Sequence, residues 1–201
     1  VSLNGLANVY MSIGNDERAD SVLRLALAGE TALKSALGQA INCANIGSIF
    51  EKRGQIDSAW VYYKRSMAFN RAAGSQLGIA LCHTYYGTLY EKEKRYVDAL
   101  AEHQEAYRMM ADSKDEWHAM NSLISLARIR LRMGNTDSAL LLLQKAERKA
   151  GKIKSIGHLS EVHALYGEVY EKQGRWQDAL KSHLKADSFR EESVNMAKLN
   201  Q

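Results

Sequence analysis

A register of small residues returns every forty positions along this chain and leaves little choice of architecture. Gly14, Gly54, Gly134 and Gly174 mark the beat, with Lys94 standing where a fifth glycine would fall. Five residues after each beat come Ala19, Ala59, Ala99, Ala139 and Ala179, and twelve after come Ala26, Ser66, Ala106, Ala146 and Ala186. Seven before stand Ala7, Gly47, Gly87, Ala127 and Gly167, and four before stand Tyr10, Phe50, Tyr90, Arg130 and Tyr170. Self-similarity at a fixed period of this length is the signature of stacked supersecondary units.

Each column has a physical reading. The glycine ends one helix, because glycine tolerates the left-handed cap conformation. Asp16, Asp57, Asp98, Asp137 and Asp178 then fall near the start of the next helix, where a carboxylate can cap free N–H groups. Small side chains on both sides of the turn let two antiparallel helices approach closely, and the aromatic fills the gap between them. The chain contains no proline, so nothing interrupts the helix interiors. Helix pairs are expected at 1–13 and 16–33, 37–53 and 56–73, 77–93 and 96–112, 116–133 and 136–150, and 156–173 and 176–197. Ala73-Gly74-Ser75, Asp112-Ser113-Lys114 and Ala150-Gly151-Lys152 link the pairs. The organisation read from this is one domain, 1–201, of five repeats at about 1–36, 37–76, 77–115, 116–155 and 156–197.

The spacing carried by Gly47, Phe50, Gly54, Ala59 and Ser66 resembles the tetratricopeptide repeat. It is clearest in Tyr86-Gly87-Thr88-Leu89-Tyr90 with Ala99-Leu100, and in Tyr166-Gly167-Glu168-Val169-Tyr170 with Ala179-Leu180. The period of forty departs from the usual 34 of that family. The usual proline near the repeat end is absent, and Arg130 replaces the aromatic in the fourth unit. The resemblance implies an all-α, right-handed superhelical solenoid of five helix-turn-helix repeats that works by binding rather than catalysis.

Composition and motifs agree with a binding role. The net charge is +4, with 27 basic and 23 acidic side chains interspersed along the chain. Nucleic-acid binders concentrate their cations on one face, so no nucleic-acid partner is expected through this region. There is no GxxxxGK[ST], HExxH, GxSxG or CxxC motif. Cys43 and Cys82 make no metal-ligand spacing and read as small buried apolar groups. His83 and His103 recur forty-residue register for register as His163 and His183. Two imidazoles do not complete a metal site, so packing or a hydrogen bond explains them; no metal, no cofactor and no catalytic residue is assigned. No apolar run approaches the length needed to span a membrane. The chain begins Val1-Ser2 rather than with Met, which reads as an excised or processed segment.

In the family that the repeat resembles, the first helix of each unit lines a concave groove. Mapped by register, its candidates are Asn4, Asn8, Asn45, Ser48, Thr84, Tyr85, Thr88, Ser125, Arg128 and Glu168, with Leu165 among them. Amides and hydroxyls can pair with the N–H and C=O groups of an extended peptide, so the expected partner is a protein or peptide. A clamp for a terminal carboxylate would need cations where Asn4, Leu81 and Tyr85 stand, so that specialised role is not expected. The charged tail after Ala186, with Phe189, Val194 and Met196, resembles the helix that ends sensor regions of membrane-anchored bacterial regulators. That resemblance implies a ligand-sensing region on the periplasmic side of a membrane-anchored protein, with the cytoplasm as the alternative. Phe189 onward can equally cap the solenoid end. The competing reading is structural: apolar end faces around Leu3 and Leu6, or on the last helix, pair two chains into a homodimer.

Overall fold

The computed structural model describes residues 2–112 and 115–199. Ser113 and Lys114 of one expected linker, and the terminal Val1, Asn200 and Gln201, lie outside them. The described chain is helical: α1 (Leu3–Ser12), α2 (Asp16–Ala32), α3 (Ala36–Lys52), α4 (Ile56–Ala72), α5 (Gln76–Lys92), α6 (Tyr96–Asp112), α7 (Glu116–Arg132), α8 (Thr136–Lys152), α9 (Ile156–Lys172) and α10 (Trp176–Leu199). Eight of these, α2 to α9, are 17 residues long. Two such helices and two three-residue turns account for the period of forty. The expected boundaries agree with these to within a few residues.

The turns explain the beat. Gly14, Gly54, Gly74, Gly134 and Gly174 all have φ between 66° and 82°, and Lys34, Lys94 and Lys154 have φ of 55°, 60° and 53°. Among the described residues, the same left-handed cap thus recurs at multiples of twenty residues, between repeats as well as within them. After α3, Gly54 donates its N–H to Glu51 O at 3.1 Å and Gln55 donates to Phe50 O at 2.9 Å, the pair of bonds that satisfies the last carbonyls of a helix.

The helix starts differ from expectation. The five aspartates stand inside the first turn, where they favour the positive end of the helix dipole, rather than at the cap. The side chains of Asp98 and Asp178 accept from Arg95 and Arg175. Side chains outside the aspartate column do the capping: Asn15 Oδ1 accepts from Arg18 N at 3.2 Å before α2, and at the other set of helices Ser35 Oγ accepts from Gly38 N at 3.2 Å, Ser75 Oγ from Gly78 N at 3.1 Å, and Asp115 Oδ1 from His118 N at 3.1 Å. In sequence the column at 35, 75, 115 and 155 reads Ser, Ser, Asp and Ser, but Ser155 makes no such cap, and its Oγ lies 2.6 Å from His158 Nδ1 instead.

The chain divides into two compact units, 1–93 and 94–201. In the first, successive helices α1 to α5 pack on one another, and α3 also meets α5. Ala7, Ala19, Leu23, Ile46 and Ile49 form one buried cluster there, and Ala59, Tyr63 and Leu89 another. In the second unit, α6 to α10 pack in the same succession, with α7 meeting α9. Its core includes Leu123, Ile124, Ala127, Leu131, Ala139, Leu143, Ala146 and Val162. The alanines five residues after each beat are at most 3% exposed, as close helix approach demands. Small and large side chains are matched across the pairs within each unit. A Cβ on Gly47 would lie 2.6 Å from the Tyr63 ring, and one on Gly167 2.4 Å from the His183 ring. Where the small residue is Ala7 or Ala127, the register position opposite is Leu23 or Leu143, in the same clusters.

Candidate functional site

The first unit carries a groove built on a second apolar stripe. The core face of α3 uses Ala40, Cys43, Ile46 and Ile49. Leu37 and Ile41, one turn apart on the neighbouring face, remain 49% and 43% exposed. On α5, Leu77 is 45% exposed, and Leu81 and Tyr85 continue its face at intervals of four. These two stripes flank a cavity of about 380 Å³, with Ser66 and Asn70 of α4 also in its lining.

The polar groups around this cavity are fixed by one another. Ser66 Oγ donates to Ala40 O at 2.9 Å, and Asn70 Nδ2 donates to Ser66 Oγ at 3.3 Å. Asn45, at the edge, donates from Nδ2 to Asn4 Oδ1 at 2.9 Å and lies 3.5 Å from Asn8 Oδ1. Tyr85 stacks on Tyr63 with centroids 4.7 Å apart, and Tyr63 donates to Glu51 at 2.7 Å. Glu51 also holds Lys92 at 3.3 Å. Burial pushes the Tyr85 phenol up to about 12, and burial beside Glu51 pushes Tyr63 up as well. Both rings are therefore neutral surfaces at physiological pH.

The sequence-derived residues fall into three groups. Asn4, Asn8 and Asn45 are brought together as an amide cluster, and Tyr85 lines the cavity. Thr84 and Thr88 donate their hydroxyls to Ala80 O and Thr84 O, one turn back on their own helix, and Ser48 is half-buried. In the second unit Arg128 pairs with Glu161, Glu168 pairs with Arg132 at 3.3 Å, Ser125 is half-buried and Leu165 is buried. The register positions of Leu37, Ile41, Leu77 and Leu81 are taken there by Trp117, Asn121, Gly157 and Glu161. Sequence reasoning missed Leu37, Ile41 and Leu77, and read Leu81 only as a missing cation. Their signal was apolar spacing of four, on a helix whose core face was already complete.

Among groups with catalytic potential, Cys82 Sγ lies 3.5 Å from Ser66 Oγ and from Asn70 Nδ2 of the cavity lining, and the others are held by separate partners. Cys43 and Cys82 are fully buried free thiols, both pushed up by that burial, which disfavours the nucleophilic thiolate. His163 pairs with Glu147 at 3.4 Å and His183 with Glu171 at 2.9 Å. Among the described residues, no group of three or more His, Cys, Asp and Glu side chains is placed to hold a metal, and no helix is long and apolar enough to cross a membrane.

A family model described as tetratricopeptide repeat matches residues 2–37 and 163–186. Those two segments carry the tetratricopeptide repeat pattern. No curated protein matches the chain's sequence. Among solved structures, the helix pairs of this chain resemble the crystal structure of BtubC (BKLC) from P. vanneervenii, at 16% identity and a TM-score of 0.79, over 96% of this chain and 80% of that one. The apo form of RapI is similar at 13% identity and a TM-score of 0.76, covering 96% and 83%. A Rap protein complexed with Competence and Sporulation Factor is similar at 12% identity and a TM-score of 0.77, covering 96% and 64%. At such identities the likeness is one of fold.

Proposed function

We propose that this chain is a tetratricopeptide-type scaffold that binds a peptide or protein segment, and that the groove between α3 and α5 is where it does so. The observation that carries this reading is the pair of aliphatic stripes, exposed Leu37 and Ile41 facing exposed Leu77 and half-buried Leu81, around a cavity of about 380 Å³. Pockets of this kind, mostly apolar with a few oriented polar groups, are the usual form of a binding site. A leucine- or valine-sized side chain of the ligand enters between the stripes, and the Asn4–Asn8–Asn45 cluster offers amide groups to its backbone. The likeness to a Rap protein solved with a bound factor supports this reading. In this reading the chain is the interaction or ligand-sensing region of a larger bacterial regulatory protein, acting in signal transduction.

Peptide-array binding tests it. Wild type should retain peptides with aliphatic side chains, and Ile41→Asp with Leu81→Asp should lose them by about tenfold or more, as expected when a charge enters an apolar pocket. Asn45→Ala should weaken binding by a smaller factor. Equal retention by wild type and the double variant would remove the groove from the account.

A specific observation also favours self-association. On α10, Trp176, Leu180 and Leu184 recur at intervals of four and are 69%, 61% and 60% exposed. Leu180 occupies the register of Trp60, which packs on Tyr86 and Tyr90 with ring centroids 5.1 and 4.9 Å away. No described helix covers it in the same manner, and a second copy can. Light scattering on the purified chain distinguishes monomer from dimer.

A further inference from the structure

The second half of α8 gathers positive charge that the repeat does not require. Lys145, Arg148, Lys149 and Lys152 are spaced three, one and three residues apart, so all four stand on one helix face. The same register positions are Leu25, Ala28, Gly29 and Ala32 in α2, and Arg65, Ala68, Phe69 and Ala72 in α4. A hairpin of this kind therefore closes without four cations there. Lys149 and Lys152 lie in the last turn, where they offset the negative end of the helix dipole. Lys145 and Arg148 lie further back, beyond the reach of that effect, and like charges three or four residues apart repel.

With Tyr107 of α6 and Glu116 of α7, these cations line a cleft of about 250 Å³. Tyr107 packs against the core of the unit, which makes it a fixed wall. Lys149 reaches Glu116 at 3.5 Å. Among the described residues, Lys145, Arg148 and Lys152 form no ion pair, and all three are exposed.

We propose that this cleft docks an acidic peptide segment of a partner protein, its carboxylates meeting Lys145, Arg148 and Lys152 and an apolar side chain resting on Tyr107. The face from 145 to 152 is only about 10 Å long, enough for two or three side chains but short for tracking a phosphate chain. Glu116 within the cleft, moreover, repels an unbroken run of phosphates while leaving room for carboxylates to alternate with other groups. The surface is separate from the groove of the first unit, so the two readings stand or fall independently.

The test is fluorescence anisotropy of the whole chain with a labelled peptide of aspartate and glutamate around one central leucine. The variant Lys145→Glu, Arg148→Glu, Lys152→Glu should bind at least about tenfold more weakly, and Lys145→Gln with Arg148→Gln should show part of that loss. Reversing Arg53, Lys64 and Arg65 to Glu should leave affinity unchanged, and circular dichroism should show every variant folded. Equal binding by wild type and both cleft variants overturns the proposal. So does tighter binding of a single-stranded oligonucleotide carrying the same charge.

Discussion

Lys94 holds a φ of 60°, a conformation that costs a residue with a Cβ about 1–2 kcal/mol. Lys94→Gly should therefore stabilise the chain by about 0.5–1 kcal/mol, after glycine's greater freedom in the unfolded state is set against the relief; the urea midpoint reads it. The sequence marked this place as a beat without its glycine, because four sister positions carry one. Lys34 and Lys154, equally left-handed, were not legible, since a lysine gives no conformational signal of its own. A second residue-scale test concerns Gly47. The Tyr63 ring beneath it is 1% exposed and held by Tyr85 and Glu51, so it cannot swing aside. Gly47→Ala should cost about 1–3 kcal/mol in overpacking, more than Gly167→Ala, whose neighbour His183 is 39% exposed. Adding Tyr63→Leu should recover most of the loss, because alanine opposite leucine is the arrangement of the first and fourth repeats. Thermal melts of the three variants decide it.

At the scale of helices, the sequence conveyed lengths and core faces well, since core columns recur in phase and each buried alanine has four counterparts. It conveyed caps poorly. Aspartates near a helix start look like caps whether they stand at the cap or one to three residues inside it, and the serine column was hidden among turn residues. Ser75→Ala should cost about 1 kcal/mol by freeing the Gly78 N–H at the start of α5, measurable as a lowered denaturation midpoint. The helix pair α9–α10 carries an acid-sensitive element. His163, stacked on Phe189 with centroids 5.6 Å apart, is held below the ordinary histidine range by burial, which Glu147 partly opposes and Lys185 reinforces. His158 is lowered by burial too. A histidine lowered in the folded state takes up its proton more readily when unfolded, so stability falls as pH drops through the ordinary range near 6.5 and levels off below the folded value. The melting temperature should decline between about pH 7 and about pH 5, and His163→Phe should flatten that decline.

For the whole chain, periodicity made the helical architecture legible, because every repeat must bury the same positions against its neighbours. The groove was only half legible. Apolar residues at 37, 41, 77 and 81 widen a stripe that already looks like core, and nothing in a single sequence says which edge of a wide stripe stays open. The exposed face of α10 carries the expectation for assembly: the intact chain should scatter as a dimer at micromolar concentration, and Leu180→Asp with Leu184→Asp should scatter as a monomer. The matched sizes across the helix pairs within each unit also limit how such a protein can be rebuilt. A chimaera that borrows one helix from a repeat of different pairing would set glycine against leucine and leave a void, or alanine against tyrosine and force a clash. Whole hairpins can be transplanted, since each brings its own fit, and the smallest part interchangeable between repeats of unlike pairing is therefore two helices long.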